Sequence, residues 1–428
     1  MTDLVTLYDL FLSSSGITTD SRNIEPKKLF WALRGDNFDG NQFALAAVAD
    51  GAIAAIVDNP EITGENVYLV DDCLVVLQHL ATHHRKQYNI PIIAITGSNG
   101  KTTTKELVNS VLGQKYFTLA TIGNLNNHIG VPLTLLRLNA NHKIAVIEMG
   151  ANHKHEIAEL CAIALPSHGI ITNIGKAHIG EFGGIDNVAY AKTRLYKFLA
   201  DNNGTIFING EDESLNKNIE AVEVPSLPSK VYFGTNDNND YCYELISESP
   251  FITLGFNKTI VNSNLIGYYN LYNLMAAFTI GKHFGVDNID CKNALETYLP
   301  TNNRSQLIES GSNILILDAY NANPTSMTAA LSTLSKMDFS RKIAILGDMF
   351  ELGIYTDKEH LSIIHEAQRL NIDTIVLVGN YFGRVPHSGC IHFELAQGAK
   401  DWYHSQEFNG TAILIKGSRS MKLEQILS

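Results

Sequence analysis

The chain has 428 residues, 45% of them hydrophobic, with 32 basic and 44 acidic side chains and a formal net charge of −12. At ~150 residues per domain this is material for two or three cored domains, and the negative balance excludes nucleic acid or an anionic membrane as the main partner. The five cysteines (Cys73, Cys161, Cys242, Cys291, Cys390) are scattered and form no C-x-x-C, which excludes a disulfide framework or zinc knuckle and fits reduced thiols in a cytoplasmic protein.

Met1–Ser15 is interrupted by Asp3 and Asp9 and has no basic start, so it does not read as a signal peptide. No apolar run reaches the ~18 residues a membrane span needs. Residues 1–88 read as a small α/β domain. Its strands are Leu29–Leu33 and Ala52–Val57, its turn Arg34–Gly40, and its helix Gln42–Ala49, stopped by Gly51. On composition alone Ser21, Arg22, Asn37 and Asp39 are ordinary turn residues.

Pro91 opens a central domain, 89–303, in which strand and helix patterns alternate as in a doubly wound, mostly parallel sheet. Its first strand, Ile92–Thr96, runs into Gly97-Ser98-Asn99-Gly100-Lys101-Thr102-Thr103 and then a helix over Thr102–Leu112. Strand, glycine turn and helix start make a phosphate cradle. Loop N–H groups and the helix N-terminus face an anion, Lys101 adds a full charge, and Thr102 stands where such loops place a hydroxyl on Mg²⁺. The loop is shortened, because Ile95 occupies the position of the first glycine. Lys143–Gly150 is a second buried strand, ending in Glu148, which faces either a nucleotide's metal or solvent. Gly169–Asn173 is a third, leading to His178 at a strand exit, where ligands of parallel sheets gather. Asn152–Glu156, with two histidines, reads as a polar helix start rather than a zinc site. Short alternating runs between Thr205 and Leu265 suggest partly antiparallel strands appended to the sheet. A helix over Leu271–Phe284 follows, and Leu299–Arg304 is the linker.

Residues 304–428 form a third α/β unit with strands Ile314–Leu317, Lys342–Leu346, Thr374–Val378 and Thr411–Ile415. Each exits into a polar or glycine turn, which lines functional groups along one sheet edge.

The phosphate loop, together with Thr121–Asn127, Gly130, Pro132, Glu148-Met149-Gly150 and Asn173–His178, resembles the Mur ligases, ATP-dependent amide-bond ligases of peptidoglycan synthesis. Three further stretches, Asp318–Met327, Leu346–Gly353 and Lys416–Met421, are similar to the members that add D-alanyl-D-alanine. The resemblance spans the chain in order. It implies an N-terminal uridine-nucleotide domain, a central ATP-binding domain and a C-terminal, Rossmann-like acceptor domain. It implies ATP and two Mg²⁺ ions, with UDP-MurNAc-tripeptide and D-Ala-D-Ala as partners, in a cytoplasmic monomer.

The same resemblance implies site roles. Lys101 and the loop amides hold phosphates; Thr102 and Glu148 ligate one Mg²⁺; His178 and a carbamylated Lys192 serve the second. Without the resemblance Lys192 reads as a helix-surface lysine. Asn270 and Asn273 would touch adenine, Arg304 a phosphate and Asp318 the ribose. Asn124, Asn126 and Asn127 would line the acyl-substrate gap, and Ser21, Arg22 and Asn37 the uridine end. Asn321, Asn323, Lys416 and Arg419 are the acceptor-side candidates, the last two having the charge for a dipeptide carboxylate. Two positions depart from the family pattern: Tyr269 stands where a histidine is usual, and Thr193-Arg194 follow Lys192 where Gly-Glu is usual. Another Mur-type or folylpolyglutamate-type ligase remains open as an alternative, as does a nucleotide-binding module without ligation.

Overall fold

The computed structural model describes residues 1–220, 229–300 and 303–428; Thr301 and Asn302 of the expected linker lie outside the described residues. The chain divides into two compact units. The first comprises Met1–Ala94, Tyr116–Gly150 and Glu156–His168, the second Ile95–Lys115, Ala151–His155 and Gly169–Ser428.

In the first unit a four-stranded parallel sheet takes the order Ile17–Thr18, Leu29–Trp31, Ala54–Val57, Val67–Leu69. The run expected to be a turn after Trp31 is a small hairpin, Arg34–Gly35 against Phe38–Asp39, with Asn37 exposed at its tip. Helix Cys73–Lys86 starts on Asp72, whose side chain accepts from Val75 N. It then ties the first 88 residues to later ones. Gln78 donates to the His128 carbonyl at 3.1 Å, Thr82 to Ile163 at 3.2 Å and Arg85 to Ala164 at 3.2 Å.

The central sheet has seven strands in the order Tyr241–Cys242, Ser229–Gly234, Thr205–Asn209, His168–Ile171, Ile92–Thr96, Ile144–Glu148, Thr118–Ala120. Ile92–Thr96 and Ile144–Glu148 are buried along their whole length, as strands covered on both faces must be. The expectation for 205–265 holds only in part. Thr205–Asn209, Ser229–Gly234 and Tyr241–Cys242 pair in parallel and extend the main sheet. The antiparallel strands are Glu244–Ser247, Thr253–Phe256 and Thr259–Asn262, in a separate sheet. A short alternating run carries the same pattern in either setting, so periodicity does not separate the two.

The C-terminal sheet takes the order Gln306–Ser310, Asn313–Asp318, Thr411–Lys416, Arg341–Gly347, Thr374–Val378, Ile391–Phe393. Only its first pairing is antiparallel. The exits of Asn313–Asp318, Arg341–Gly347 and Thr411–Lys416 therefore share one edge. Among the described residues no helix is long and apolar enough to cross a membrane.

Buried histidines give the fold an acid sensitivity. His360 donates from Nδ1 to the Thr356 carbonyl at 2.7 Å and accepts from Met349 N at 3.0 Å, so it is neutral as packed. His84 bridges the Tyr8 hydroxyl and the Leu138 carbonyl. Burial holds both imidazoles below their ordinary value of 6.5. Between 6.5 and the lowered values the unfolded chain binds more protons, so stability is full above about pH 6.5 and falls below it. The thermal midpoint should drop as pH goes from 7 to 5, and the His84→Gln/His360→Gln variant should flatten that slope. A midpoint that stays level or rises in the parent protein would contradict the packing.

Candidate active site

The glycine loop lies in the second unit and is built from backbone inward. Gly97 has φ +145°, and a Cβ there would meet Thr172 Oγ1 at 1.9 Å, so only glycine fits. Gly97→Ala should therefore fold with a displaced loop, and nucleotide binding followed by calorimetry should weaken at least ~10-fold; parental affinity would argue against the loop as the anion cradle. Ser98 Oγ accepts from Gly175 N at 2.8 Å and donates to the Gly175 carbonyl at 3.0 Å. Asn99 N donates to Asn173 Oδ1 at 3.0 Å, and Asn173 Nδ2 returns to the Asn99 carbonyl at 3.0 Å. Gly100 leads into helix Lys101–Leu112. The Lys101 ammonium arches over the loop to the carbonyls of Gly97, at 2.7 Å, and Ser98, at 3.2 Å. Thr102 is buried at the helix start and Thr103 half-buried beside it.

A cavity of about 580 Å³ adjoins these braces, lined by Asn173 and Asn273, the tyrosines 268, 269 and 272, and Lys336 among others. Its size and aromatic walls suit a nucleoside. The structure gives Asn270 and Asn273 different positions. Asn273 lines the cavity and accepts from Thr104 Oγ1 at 3.1 Å. Asn270 sits behind it, accepting from Asn273 Nδ2 at 2.8 Å and donating to the Ile266 carbonyl. Tyr269, in the position of the family's histidine, lines the same cavity and hydrogen-bonds Ser305 at 2.6 Å. Burial pushes its phenol up.

Several C-terminal side chains reach the same region. Asn323 caps helix Pro324–Lys336 through Ser326 N and donates from Nδ2 to Asn99 Oδ1 at 2.7 Å. Thr325 Oγ1 accepts from Lys176 N at 3.0 Å, and Lys176 Nζ pairs with Glu359 at 2.7 Å. His178 Nδ1 lies 2.7 Å from Glu351 Oε2, and its closeness holds the Glu351 carboxyl below the usual range. Gly180 makes the approach possible, because a Cβ there would meet Gly353 N at 2.5 Å.

Lys192 is not a surface residue. It lies in helix Ile185–Asp201, is 2% exposed, and has its Nζ 6.0 Å from the Phe182 ring centre. Arg194 points elsewhere, with its guanidinium 4.2 Å from the ring of half-exposed Tyr190.

Lys416, an acceptor-side candidate, is already paired within the chain. It is 2% exposed and neutralised by Asp318 Oδ2 at 2.6 Å. It also donates to the Asn321 carbonyl at 3.0 Å. Asp318 lies directly across in the neighbouring strand. Asp318 Oδ1 accepts from Ser305 N at 3.0 Å. Asn321 is exposed and its Oδ1 accepts from Ala322 N. Arg304 lies against the Tyr320 ring at 3.5 Å, and Arg419 is exposed.

In the first unit Glu148 is 1% exposed at its strand end, and Oε1 accepts from Asn126 Nδ2 at 2.7 Å. Asn127 is a cap, its Oδ1 accepting from Gly130 N at 2.9 Å, while Asn124 is exposed. Ser21 is half-buried. Arg22 forks onto Asp20 with two 2.8 Å bonds that bring the Asp20 carboxyl down to about 2. Sequence reasoning passed over Asn173, Glu351, Tyr320 and Asn41. Asn41 is a buried hub joining Asp39 and Asp58. Glu351 and Tyr320 lay inside stretches already singled out, but their partners are remote in sequence.

Among the described residues no group of three or more His, Cys, Asp or Glu could by itself hold a metal. A Thr102 hydroxyl and a Glu148 carboxylate are hard oxygen donors. Each is the donor type that Mg²⁺ prefers.

Sequence models of known families match three stretches: "Mur ligase family, catalytic domain" over 13–89, "Mur ligase middle domain" over 95–281, and "Mur ligase, glutamate ligase domain" over 303–419. The chain is 36% identical to the UDP-N-acetylmuramoyl-tripeptide–D-alanyl-D-alanine ligase of Bacillus subtilis (strain 168), covering 96% of this chain and 92% of that protein. A crystal structure of MurF from Acinetobacter baumannii superposes with a TM-score of 0.86 at 31% identity, covering 99% of this chain and 97% of that one. MurF from Thermotoga maritima in complex with ADP shares the fold, with a TM-score of 0.85 at 24% identity, covering 100% and 97%.

Proposed function

Because this chain belongs to the Mur ligase family, we propose that it joins D-alanyl-D-alanine to UDP-MurNAc-tripeptide with ATP, in the making of peptidoglycan precursors. The observation that carries this reading is that the likeness to so-named ligases runs through the whole chain, acceptor third included. Residues 1–88 take the uridine nucleotide, 89–303 the ATP and 304–428 the dipeptide. Ser21, Arg22 and Asn37 are the candidates for the uridine end. The protein works in the cytoplasm as a monomer, a setting that suits its free thiols.

The chemistry has two steps. The terminal carboxylate oxygen of the tripeptide attacks the γ-phosphorus, the bond to the bridging oxygen breaks, and ADP leaves an acyl phosphate. The dipeptide amine then attacks the acyl carbon and loses a proton, and phosphate departs. Neither step needs a covalent enzyme group; both need charge held in line. Lys101 and the loop amides neutralise the β- and γ-oxygens. Asn173, Ser98 and Asn323 keep the loop in shape. Tyr269 and Asn273 wall the base, Asp318 stands near the ribose, and Arg304 and Arg419 face the phosphoryl and dipeptide anions.

Mg²⁺, when bound, neutralises phosphate charge. Thr102 and Glu148 would hold one ion, and His178 and Lys192 a second. A bare ammonium cannot ligate a cation. Lys192 must therefore carry carbon dioxide as a carbamate, formed when the neutral amine adds to CO₂ and releases a proton. The reading is tested by phosphate release with each substrate omitted in turn. Release should require ATP, UDP-MurNAc-tripeptide and D-Ala-D-Ala together. Release indifferent to the amine, or to the acyl substrate, would overturn it.

A further inference from the structure

Tyr320, just past the exit of strand Asn313–Asp318, carries two cations on one ring. The guanidinium carbon of Arg304 lies 3.5 Å from the ring centre and that of Arg419 5.7 Å away. The arginines come from distant parts of the C-terminal segment: Arg304 precedes strand Gln306–Ser310, and Arg419 follows strand Thr411–Lys416. Like charges drawn together repel, and the ring's negative face offsets part of that. Among the described residues the only carboxylate paired with either arginine is Glu424, 3.5 Å from Arg419. Nearby Lys416, in contrast, is already neutralised by Asp318. Among the described residues no carboxylate pairs with Arg304, so the two guanidinium groups at Tyr320 share a single long pairing to Glu424, in a chain whose net charge is −12. A guanidinium resting on an aromatic ring keeps its N–H edge for a carboxylate or phosphate.

We propose that Tyr320 is a positioning residue that holds Arg304 and Arg419 as a coupled pair. Arg304 serves the transferring phosphoryl group, and Arg419 the terminal carboxylate of the acceptor dipeptide. The inference rests on the ligase reading above and adds to it that one ring ties the two anion contacts together. A lost ring then frees both arginines at once, whereas loss of either arginine affects one anion.

The test is steady-state kinetics on the full chain, with D-Ala-D-Ala and its C-terminal amide as acceptors. Arg419→Gln should raise KM for the dipeptide about tenfold and leave KM for ATP unchanged. Tyr320→Leu should raise both about tenfold and lower the preference for the acid over the amide, without a matching loss of thermal midpoint. Tyr320→Phe keeps the ring and should stay within about twofold of the parent on both. Parental constants in Tyr320→Leu would overturn the proposal. So would a Tyr320→Phe as damaged as Tyr320→Leu, or a loss confined to kcat with a lowered midpoint. A parent protein that does not consume the dipeptide at all would overturn the ligase reading, and this inference with it.

Discussion

Lys101→Ala should yield a folded protein that ligates at least ~100-fold more slowly, the scale for removing a charge-stabilising group from a transition state. The lysine opens helix Lys101–Leu112, and its ammonium donates to the carbonyls of Gly97 and Ser98 in the loop. The helix is instead anchored by Leu107, Val108, Val111 and Leu112, all fully buried. Truncation therefore removes little packing and a whole positive charge from the place where phosphoryl charge develops. The thermal midpoint should move little while kcat falls. A folded Lys101→Ala protein with near-parental turnover would remove the loop from the chemistry.

Lys192→Ala should also cost at least ~100-fold in ligation, with part of the loss recovered by added acetate. Lys192 is 2% exposed and shares its surroundings with the ring of Phe182. A long cationic side chain is seldom buried without a functional or structural partner. Arg194, the departure from the family pattern, does not place its charge at Lys192. Residues two apart on a helix face different sides, and Arg194 rests on Tyr190. Acetate can occupy the oxygen positions vacated with the carbamate, so it should rescue Lys192→Ala. It should not rescue Lys192→Arg, whose guanidinium fills the space. Carbon-13 bicarbonate should add a carbamate resonance to the parent protein that is absent from Lys192→Ala. No such resonance, together with no bicarbonate or acetate effect on either protein, would reduce Lys192 to a packed structural lysine.

The parts of the site legible in the sequence are those whose physics is local. Strand Ile92–Thr96, the two-glycine turn and Lys101-Thr102 are contiguous, and each residue type answers to its own backbone position. The C-terminal strands were legible for the same reason, as short β-branched runs bounded by polar turns. Sequence periodicity fails where the deciding contact is remote. The charge type of Lys416 is legible in the sequence, but its pairing with Asp318 across the strand pair is not. Without the resemblance Lys192 reads as a helix-surface lysine, and only the three-dimensional packing buries it. Glu351 on His178 and Arg304 on Tyr320 are pairings between loops, which carry no period at all.

The central claim is that the carboxylate is activated by phosphorylation before the amine attacks. UDP-MurNAc-tripeptide labelled with oxygen-18 in its terminal carboxylate tests it most directly. The carboxylate oxygen that takes the phosphoryl group leaves with it, so the mass spectrum of the released inorganic phosphate should show the label, with ADP as the other product. Unlabelled phosphate, or label appearing in AMP with pyrophosphate released, would contradict the acyl-phosphate route.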